Sequence, residues 1–188
     1  MLTMDTYSFA GKKALVRVDL NVPQDATGKV TDDTRARAIV PTVNKILKDG
    51  GSAILMSHLG RPKGKPDPRY GLRPVADRLT AYLDAPIKFA RDCVGEPARS
   101  VVQSLKRGDV LLLENLRFHA EEEANDVEFS RQLAELGDVY VNDAFGSAHR
   151  AHASTEGVTR FLSPSLAGLL MEKEIDYLGR AVGNPERP

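Results

Sequence analysis

Short, continuously apolar runs alternate with segments of helical periodicity along this chain, and this alternation restricts the possible folds more than any other feature. The runs occupy residues 14–18, 53–56, 86–90, 110–113 and 139–141, and residues 157–162 are a candidate sixth. A strand that is apolar on both sides must be covered on both faces, which is typical of a parallel sheet between two layers of helices. The sequence therefore predicts a three-layer α/β/α, Rossmann-like domain with a parallel sheet of about six strands.

The segments between the runs carry helix and loop signals. Residues 31–33 provide a helix start, and apolar positions recur at helical spacing until Gly50 and Gly51. Pro41 interrupts this pattern, so we expect an irregular or kinked turn in the first helix. Residues 60–71 combine basic residues with prolines, which predicts a mobile basic loop. Apolar positions from about 166 to 183 predict a long final helix.

Composition excludes several classes of function. The 188 residues include 26 basic and 26 acidic side chains, so no global field favours nucleic acid or an anionic membrane surface. The single cysteine, Cys93, cannot form an internal disulfide, and no apolar run approaches the length of a membrane span. We expect one soluble, cytoplasmic, monomeric domain that binds neither nucleic acid nor membrane.

Basic and polar side chains cluster directly after the predicted strands. In a doubly wound sheet, ligands bind beyond the carboxyl ends of the strands. Arginine forks suit phosphate and carboxylate oxygens, and Asp and Asn suit hydroxyl groups. The pattern predicts a site for a phosphorylated hydroxy acid or sugar. The residues at the strand ends are Asp19, Asn21, His58, Arg61, Arg117, His119, His149 and Arg150.

Several of these residues have a plainer interpretation. Asp19 and Asn21 could merely cap the turn that follows the first strand. Arg117 could be a surface residue paired with Glu114 or Glu121. His149 and His152 are spaced like metal ligands, but no further ligands complete a tetrahedron.

Three further features need an explanation. Arg35 lies at a helix start, where its charge opposes the helix dipole, so a functional role is favoured. Residues 121–123, all glutamate, are expected to form a solvated face or the approach to a helix. Cys93 is expected to be structural rather than nucleophilic. The glycine patterns G-x-x-x-x-G-K-[ST] and G-x-G-x-x-G are absent, which disfavours a P-loop enzyme and a nicotinamide-dependent dehydrogenase.

Four long motifs resemble the N-terminal domain of the phosphoglycerate kinase family. They are Arg-Val-Asp-Leu-Asn-Val-Pro at 17–23, Ser-His-Leu-Gly-Arg-Pro at 57–62, Glu-Asn-Leu-Arg-Phe-His at 114–119 and Asn-Asp-Ala-Phe-Gly-Ser-Ala-His-Arg-Ala-His at 142–152. Residues 170–174 and 184–188 resemble the family's interdomain helix and its exit. The resemblance covers essentially residues 1–188 and implies that the helix at about 166–183 leads into a linker.

The resemblance implies a glycolytic reaction, the reversible transfer of a phosphoryl group between ATP with 3-phosphoglycerate and ADP with 1,3-bisphosphoglycerate. Arg35 resembles the arginine that reaches the transferring phosphoryl group and is the predicted catalytic residue. Arg17 is expected to support the crevice from behind. The residues implied as contacts of the acid substrate are Asp19, Leu20, Asn21, Arg35, His58, Leu59, Gly60, Arg61, Arg117 and Arg150.

The resemblance also implies a second domain. In the family, this C-terminal domain binds Mg-ATP or Mg-ADP, and this sequence stops where that domain should start. We therefore expect no cofactor or metal on this chain, weak binding of 3-phosphoglycerate or 1,3-bisphosphoglycerate, and no turnover by the chain alone. The alternative is a stand-alone module that binds a phosphorylated acid without catalysis.

Overall fold

The computed structural model describes residues 3–183, with side chains described up to residue 180. The predicted exit at 184–188 lies outside the described residues. Strands and helices alternate along most of the chain, as the sequence predicts. The strands are β1 (Lys13–Val18), β2 (Ser52–Met56), β3 (Ile87–Phe89), β4 (Val110–Leu112), β5 (Val139–Asp143) and β6 (Ser165–Ala167). The helices are α1 (Thr34–Ala38), α2 (Val40–Lys48), α3 (Arg73–Leu79), α4 (Gly95–Gln103), α5 (Ala120–Glu123), α6 (Val127–Ala134) and α7 (Leu169–Gly183).

All six strands form one parallel sheet in the order β3-β4-β2-β1-β5-β6. After β1 the chain adds β2, β3 and β4 on one side, with β4 inserted between β2 and the edge strand β3, and then crosses to the other side of β1 for β5 and β6. The connection from β1 to β2 and the connection from β5 to β6 therefore run in opposite directions from two adjacent strands. Such a reversal opens a crevice at the carboxyl ends of the strands.

Two hydrophobic cores cover the two faces of the sheet, because alternate residues of a strand point to opposite faces. On one face Val16 and Leu55 pack with Val43 of α2 and Val75 of α3. On the other face lie Leu15, Ile54 and Leu111, together with residues of α4 and α6. The predicted α/β class with helices on both sides of a six-stranded parallel sheet is confirmed.

The first helical segment is broken near the proline, as predicted. It consists of α1 and α2, which meet at Ile39, and Pro41 occupies the first turn of α2. A proline is tolerated there because the first N–H groups of a helix have no partner within it. The Asp32 carboxylate accepts a hydrogen bond from Thr34 N at 2.8 Å and so marks the start of α1.

The candidate sixth strand at residues 157–162 is wrong. Residues Gly157–Arg160 form a 3₁₀ turn, and the sixth strand is β6, in which Leu166 pairs with Val141 of β5. The long final helix consequently begins at Leu169 rather than near residue 166. The basic loop at 60–71 contains one short 3₁₀ turn, Pro68–Tyr70.

No helix among residues 3–183 combines the length and the apolar character needed to cross a bilayer.

Candidate functional site

A cavity of about 260 Å³ lies at the carboxyl edge of the sheet, beside the reversal between β1 and β5. Four arginines and one carboxylate face it, so its charge favours a multiply charged anion and does not fit a metal cation. The residues that line it are Asp19, Asn21, Arg35, His58, Gly60, Arg61, Gly146, Ser147, Arg117 and Arg150.

Asp19 caps the turn after β1, and both Asp19 and Asn21 line the cavity. Asp19 Oδ1 accepts a hydrogen bond from Asn21 N at 3.1 Å, and its Oδ2 pairs with Arg35 Nη1. Burial alone would raise the pKa of Asp19, but the hydrogen bonds from Asn21 and Arg35 outweigh it, so the pKa is lowered and the carboxyl is ionised. Asn21 Oδ1 accepts from Gly60 N at 2.8 Å and thereby joins the exits of β1 and β2.

His58 is nearly buried and is held from behind by Arg17. Arg17 Nη2 lies 2.9 Å from His58 Nδ1. Burial, followed by the charges of Arg17 and Arg117, lowers the pKa of His58 to about 3, so the imidazole is neutral at physiological pH. The arginine inside β1 therefore contacts a cavity residue and does not itself line the cavity.

Arg117 is buried and is not the surface residue of the plainer interpretation. Its Nη1 donates to Gly60 O at 3.1 Å, and its Nε lies 3.4 Å from Glu123 Oε1. Its ion-pair partner is thus neither Glu114 nor Glu121. Burial lowers the pKa of Arg117, and the Arg150 charge adds to that effect, while Glu123 opposes it.

Asn115 ties the β4 exit to the β2 exit. Its side chain is fully buried and donates to Leu59 O at 2.8 Å and to Tyr70 O at 2.9 Å. Its Oδ1 accepts from Arg117 N at 3.0 Å and from Leu59 N at 3.3 Å. One amide therefore fixes the backbone on both sides of Gly60.

Some predicted site residues lie elsewhere. The side chains of Leu20 and Leu59 are buried in the hydrophobic core. His119 is wrong as a member of this crevice, since it lines a separate cavity of about 640 Å³ and hydrogen-bonds Asp92 Oδ1 at 2.7 Å. His149 is exposed and does not line the 260 Å³ cavity.

Gly146 and Ser147 line the cavity although sequence reasoning did not single them out. They lie in the 3₁₀ turn Phe145–Ser147, directly after β5, within the motif at 142–152. Their position after a strand could have indicated that they line the cavity. Glycine and serine carry no charge, however, so residue type did not identify them as candidate ligand contacts.

Among residues 3–183, one group combines three potential metal ligands, namely Asp92, Cys93 and His119. Asp92 and His119 already bond to each other, and Asp92 Oδ1 also accepts from Cys93 N at 2.6 Å. Burial, and secondarily the Asp92 charge, raises the pKa of the Cys93 thiol, which disfavours the thiolate that a metal requires. These contacts agree with a structural cysteine.

The glutamates at 121–123 do not form a uniformly solvated face. Glu122 is 1% exposed and accepts hydrogen bonds from Ser154, whereas Glu121 and Glu123 are exposed. The expectation of a solvated run is therefore wrong for Glu122, because successive residues of a helix point about 100° apart and Glu122 points toward the buried Ser154.

Comparison with known proteins agrees with this architecture. A family model described as phosphoglycerate kinase matches residues 4–188. The chain is 59% identical to a phosphoglycerate kinase of Chloroherpeton thalassium and 56% identical to one of Chlorobium luteolum, in each case over 99% of this chain and 47% of the relative. The chain thus spans about half the length of these curated relatives.

Solved structures give the same result. A phosphoglycerate kinase structure from Pyrococcus horikoshii superposes with a TM-score of 0.90 at 35% identity, covering 100% of this chain and 47% of that one. A structure from Coxiella burnetii gives a TM-score of 0.85 at 35% identity, with 100% and 46% covered. A family model that matches nearly every residue, together with these likenesses, shows that the chain belongs to the phosphoglycerate kinase family.

Proposed function

We propose that this chain binds 3-phosphoglycerate and 1,3-bisphosphoglycerate in the 260 Å³ cavity, as the acid-substrate half of a phosphoglycerate kinase. The observation that carries the proposal is the convergence of four arginines around one ionised aspartate and one neutral histidine. A phosphomonoester carries about two negative charges, and a carboxylate adds a third. The four guanidinium groups less the Asp19 carboxylate supply a matching positive charge.

Different residues of the cavity suit different chemical groups of such a ligand. Arg61 and Arg150 are exposed at the rim, where they can pair with the phosphate or carboxylate oxygens of an entering anion. Asp19 and Asn21 offer oxygen acceptors to its hydroxyl group. We assign no direct contact to the side chains of Leu20 and Leu59, whose place in the core makes their backbone the part available to a ligand.

The position of Arg35 supports a role at the transferring phosphoryl group. Its side chain is 49% exposed, pairs with Asp19 and borders a second cavity of about 270 Å³ as well as the first. Phosphoryl transfer depends on positioning and on stabilising charge at the equatorial oxygens. We propose that the Arg35 guanidinium leaves its ion pair with Asp19 and pairs instead with the transferring phosphoryl group. Mg-ATP or Mg-ADP would be bound outside this chain. A cytoplasmic location and a monomeric state stay predictions of the sequence.

Isothermal titration of the 188-residue chain with 3-phosphoglycerate tests the binding proposal. We expect binding that weakens with salt and that is lowered at least about tenfold by Arg150→Met, since a charge-assisted hydrogen bond is lost. Arg99→Met is the matched control, because Arg99 lies on α4 and pairs with Glu96 at 3.7 Å. Equal affinities of the two variants would contradict the proposed site.

A second experiment separates the kinase half from the stand-alone module. Adding a separately produced nucleotide-binding half of a family member should restore turnover, and Arg35→Met should then lower kcat by roughly 10²- to 10³-fold. Binding without restored turnover would favour the stand-alone module. Substantial turnover by the chain alone would contradict the assignment of this chain as a half-enzyme.

A further inference from the structure

A buried chain of hydrogen bonds runs behind the cavity and joins three separate parts of the sequence. Arg17 of β1 is 1% exposed, and its Nε donates to Ser154 Oγ at 2.9 Å. Ser154 Oγ in turn donates to Glu122 Oε1 of α5 at 2.6 Å, and Ser154 N donates to Glu122 Oε2 at 3.0 Å. The two buried, oppositely charged groups are thus connected through one hydroxyl.

The chemistry of the three groups fixes the direction of this chain. A guanidinium can only donate, and a hydroxyl has a single proton to give. The Ser154 hydroxyl must therefore accept a hydrogen bond from Arg17 and donate one to Glu122. The Ser154 backbone is itself held by Tyr140, whose hydroxyl donates to Ser154 O at 2.9 Å. The serine consequently has little freedom to turn away.

The other end of Arg17 determines which nitrogen of His58 carries the proton. Because Arg17 Nη2 donates, His58 Nδ1 must accept, and the proton of the neutral ring must reside on Nε2. Arg17 Nη1 also donates to Val18 O, so all three guanidinium nitrogens are engaged. The hydrogen bonds described for His58 engage its Nδ1 and its backbone O, and among residues 3–180 none engages Nε2, which is therefore available to a ligand in the cavity that His58 lines.

We infer that Glu122 is a positioning residue for the candidate site: through the Ser154 hydroxyl it holds Arg17 in the orientation that makes His58 an Nε2–H donor toward the cavity. A carboxylate or hydroxyl oxygen of the bound acid is the acceptor that such a donor recognises. The identity of that acid rests on the proposed function, whereas the tautomer of His58 does not.

Nitrogen-15 NMR of the ligand-free, full chain measures the tautomer directly. In the wild type we expect His58 with an unprotonated Nδ1 and a protonated Nε2 between pH 6 and pH 8. In Ser154→Ala and Glu122→Gln the Nδ1–H tautomer should become populated. The dissociation constant for 3-phosphoglycerate should rise about tenfold, the scale of one lost hydrogen bond.

Ser130→Ala is the matched control. Ser130 of α6 is also fully buried, and its hydroxyl donates to O of the helix-capping Asp126 at 2.6 Å, away from His58. This variant removes a buried hydroxyl of the same kind, so it should lower stability while leaving the His58 tautomer and the affinity within twofold of the wild type. A merely structural role for Ser154 would make the two serine variants behave alike.

The outcomes separate the inference from the proposed function. A wild-type His58 with a protonated Nδ1, or variants that keep the wild-type tautomer, would overturn the positioning role. If the wild type and the variants show the expected His58 tautomers but 3-phosphoglycerate does not bind, the positioning role is supported and the proposed ligand is contradicted. If one variant does not fold, the wild-type spectrum and the other variant decide.

Discussion

Replacement of Asn115 by alanine should destabilise the domain more than any other single amide deletion near the site. The change leaves four backbone groups without their partner, namely the N–H and C=O of Leu59, the C=O of Tyr70 and the N–H of Arg117. Each unsatisfied buried group costs roughly 1–3 kcal/mol, and local relaxation and water entry recover part of the sum. We expect a loss of about 3–5 kcal/mol from a total stability of about 5–15 kcal/mol.

Urea unfolding followed by circular dichroism measures this loss. The midpoint should fall while the m-value stays constant, because the change alters stability rather than the surface exposed on unfolding. Affinity for 3-phosphoglycerate should fall too, since Asn115 fixes the backbone that carries Gly60 and Arg117. Asn44→Ala is the control: Asn44 is half-buried in α2, and alanine there should be neutral or slightly stabilising.

Asn115→Asp sharpens the test. It keeps the shape of the side chain but turns an oxygen toward the carbonyls of Leu59 and Tyr70, so it should be at least as destabilising as alanine. An alanine variant whose free energy of unfolding lies within about 1 kcal/mol of the wild type would refute the argument.

Two further changes test other parts of the structure. Gly60→Ala should lower both stability and affinity, because Gly60 has φ +61° and a Cβ there would lie 2.4 Å from the Tyr70 ring; Gly28→Ala, with φ +82° and open space, should show the backbone cost of about 1 kcal/mol alone, and equal losses would contradict the clash. Asp143→Asn should remove a pH dependence of stability. Burial raises the pKa of Asp143 above 3.8, so the contribution of its protonated form to the free energy of unfolding is complete below pH 3.8 and is lost as the pH rises through the folded-state pKa. Free energies of unfolding of the wild type and the variant that run parallel across this pH window would contradict the prediction.

The apolar runs predicted the central strands because both faces of those strands are covered by hydrophobic cores, so nearly every residue in them is apolar. Runs at residues 14–18, 53–56, 110–113 and 139–141 are too short and too apolar for amphipathic helices, and each contributes to a strand of the sheet. The edge of the sheet was less predictable. Strand β6 has three residues with only Leu166 and Ala167 buried, which periodicity cannot distinguish from the start of α7.

The residue types at the strand ends predicted an anion crevice, and much of that set does line one cavity. Asp19, Asn21, His58, Arg117 and Arg150 were identifiable because parallel strands bring their carboxyl ends to one edge. His119 follows β4 just as Arg117 does, yet it faces another cavity. Spacing along a loop does not determine which way each side chain turns.

The sequence by itself determined the layered fold, the edge of the sheet at which the charged side chains gather and the positive charge of the candidate site, since these follow from hydrophobic period and residue type. Tertiary structure alone decided that Glu122 is buried, that Ser154 connects it to Arg17 and that His58 is neutral. Residues 17 and 154 are 137 positions apart, and a contact of that range leaves no local pattern. Burial and direction of hydrogen bonds, which set the protonation of the site, depend on neighbours that only folding brings together.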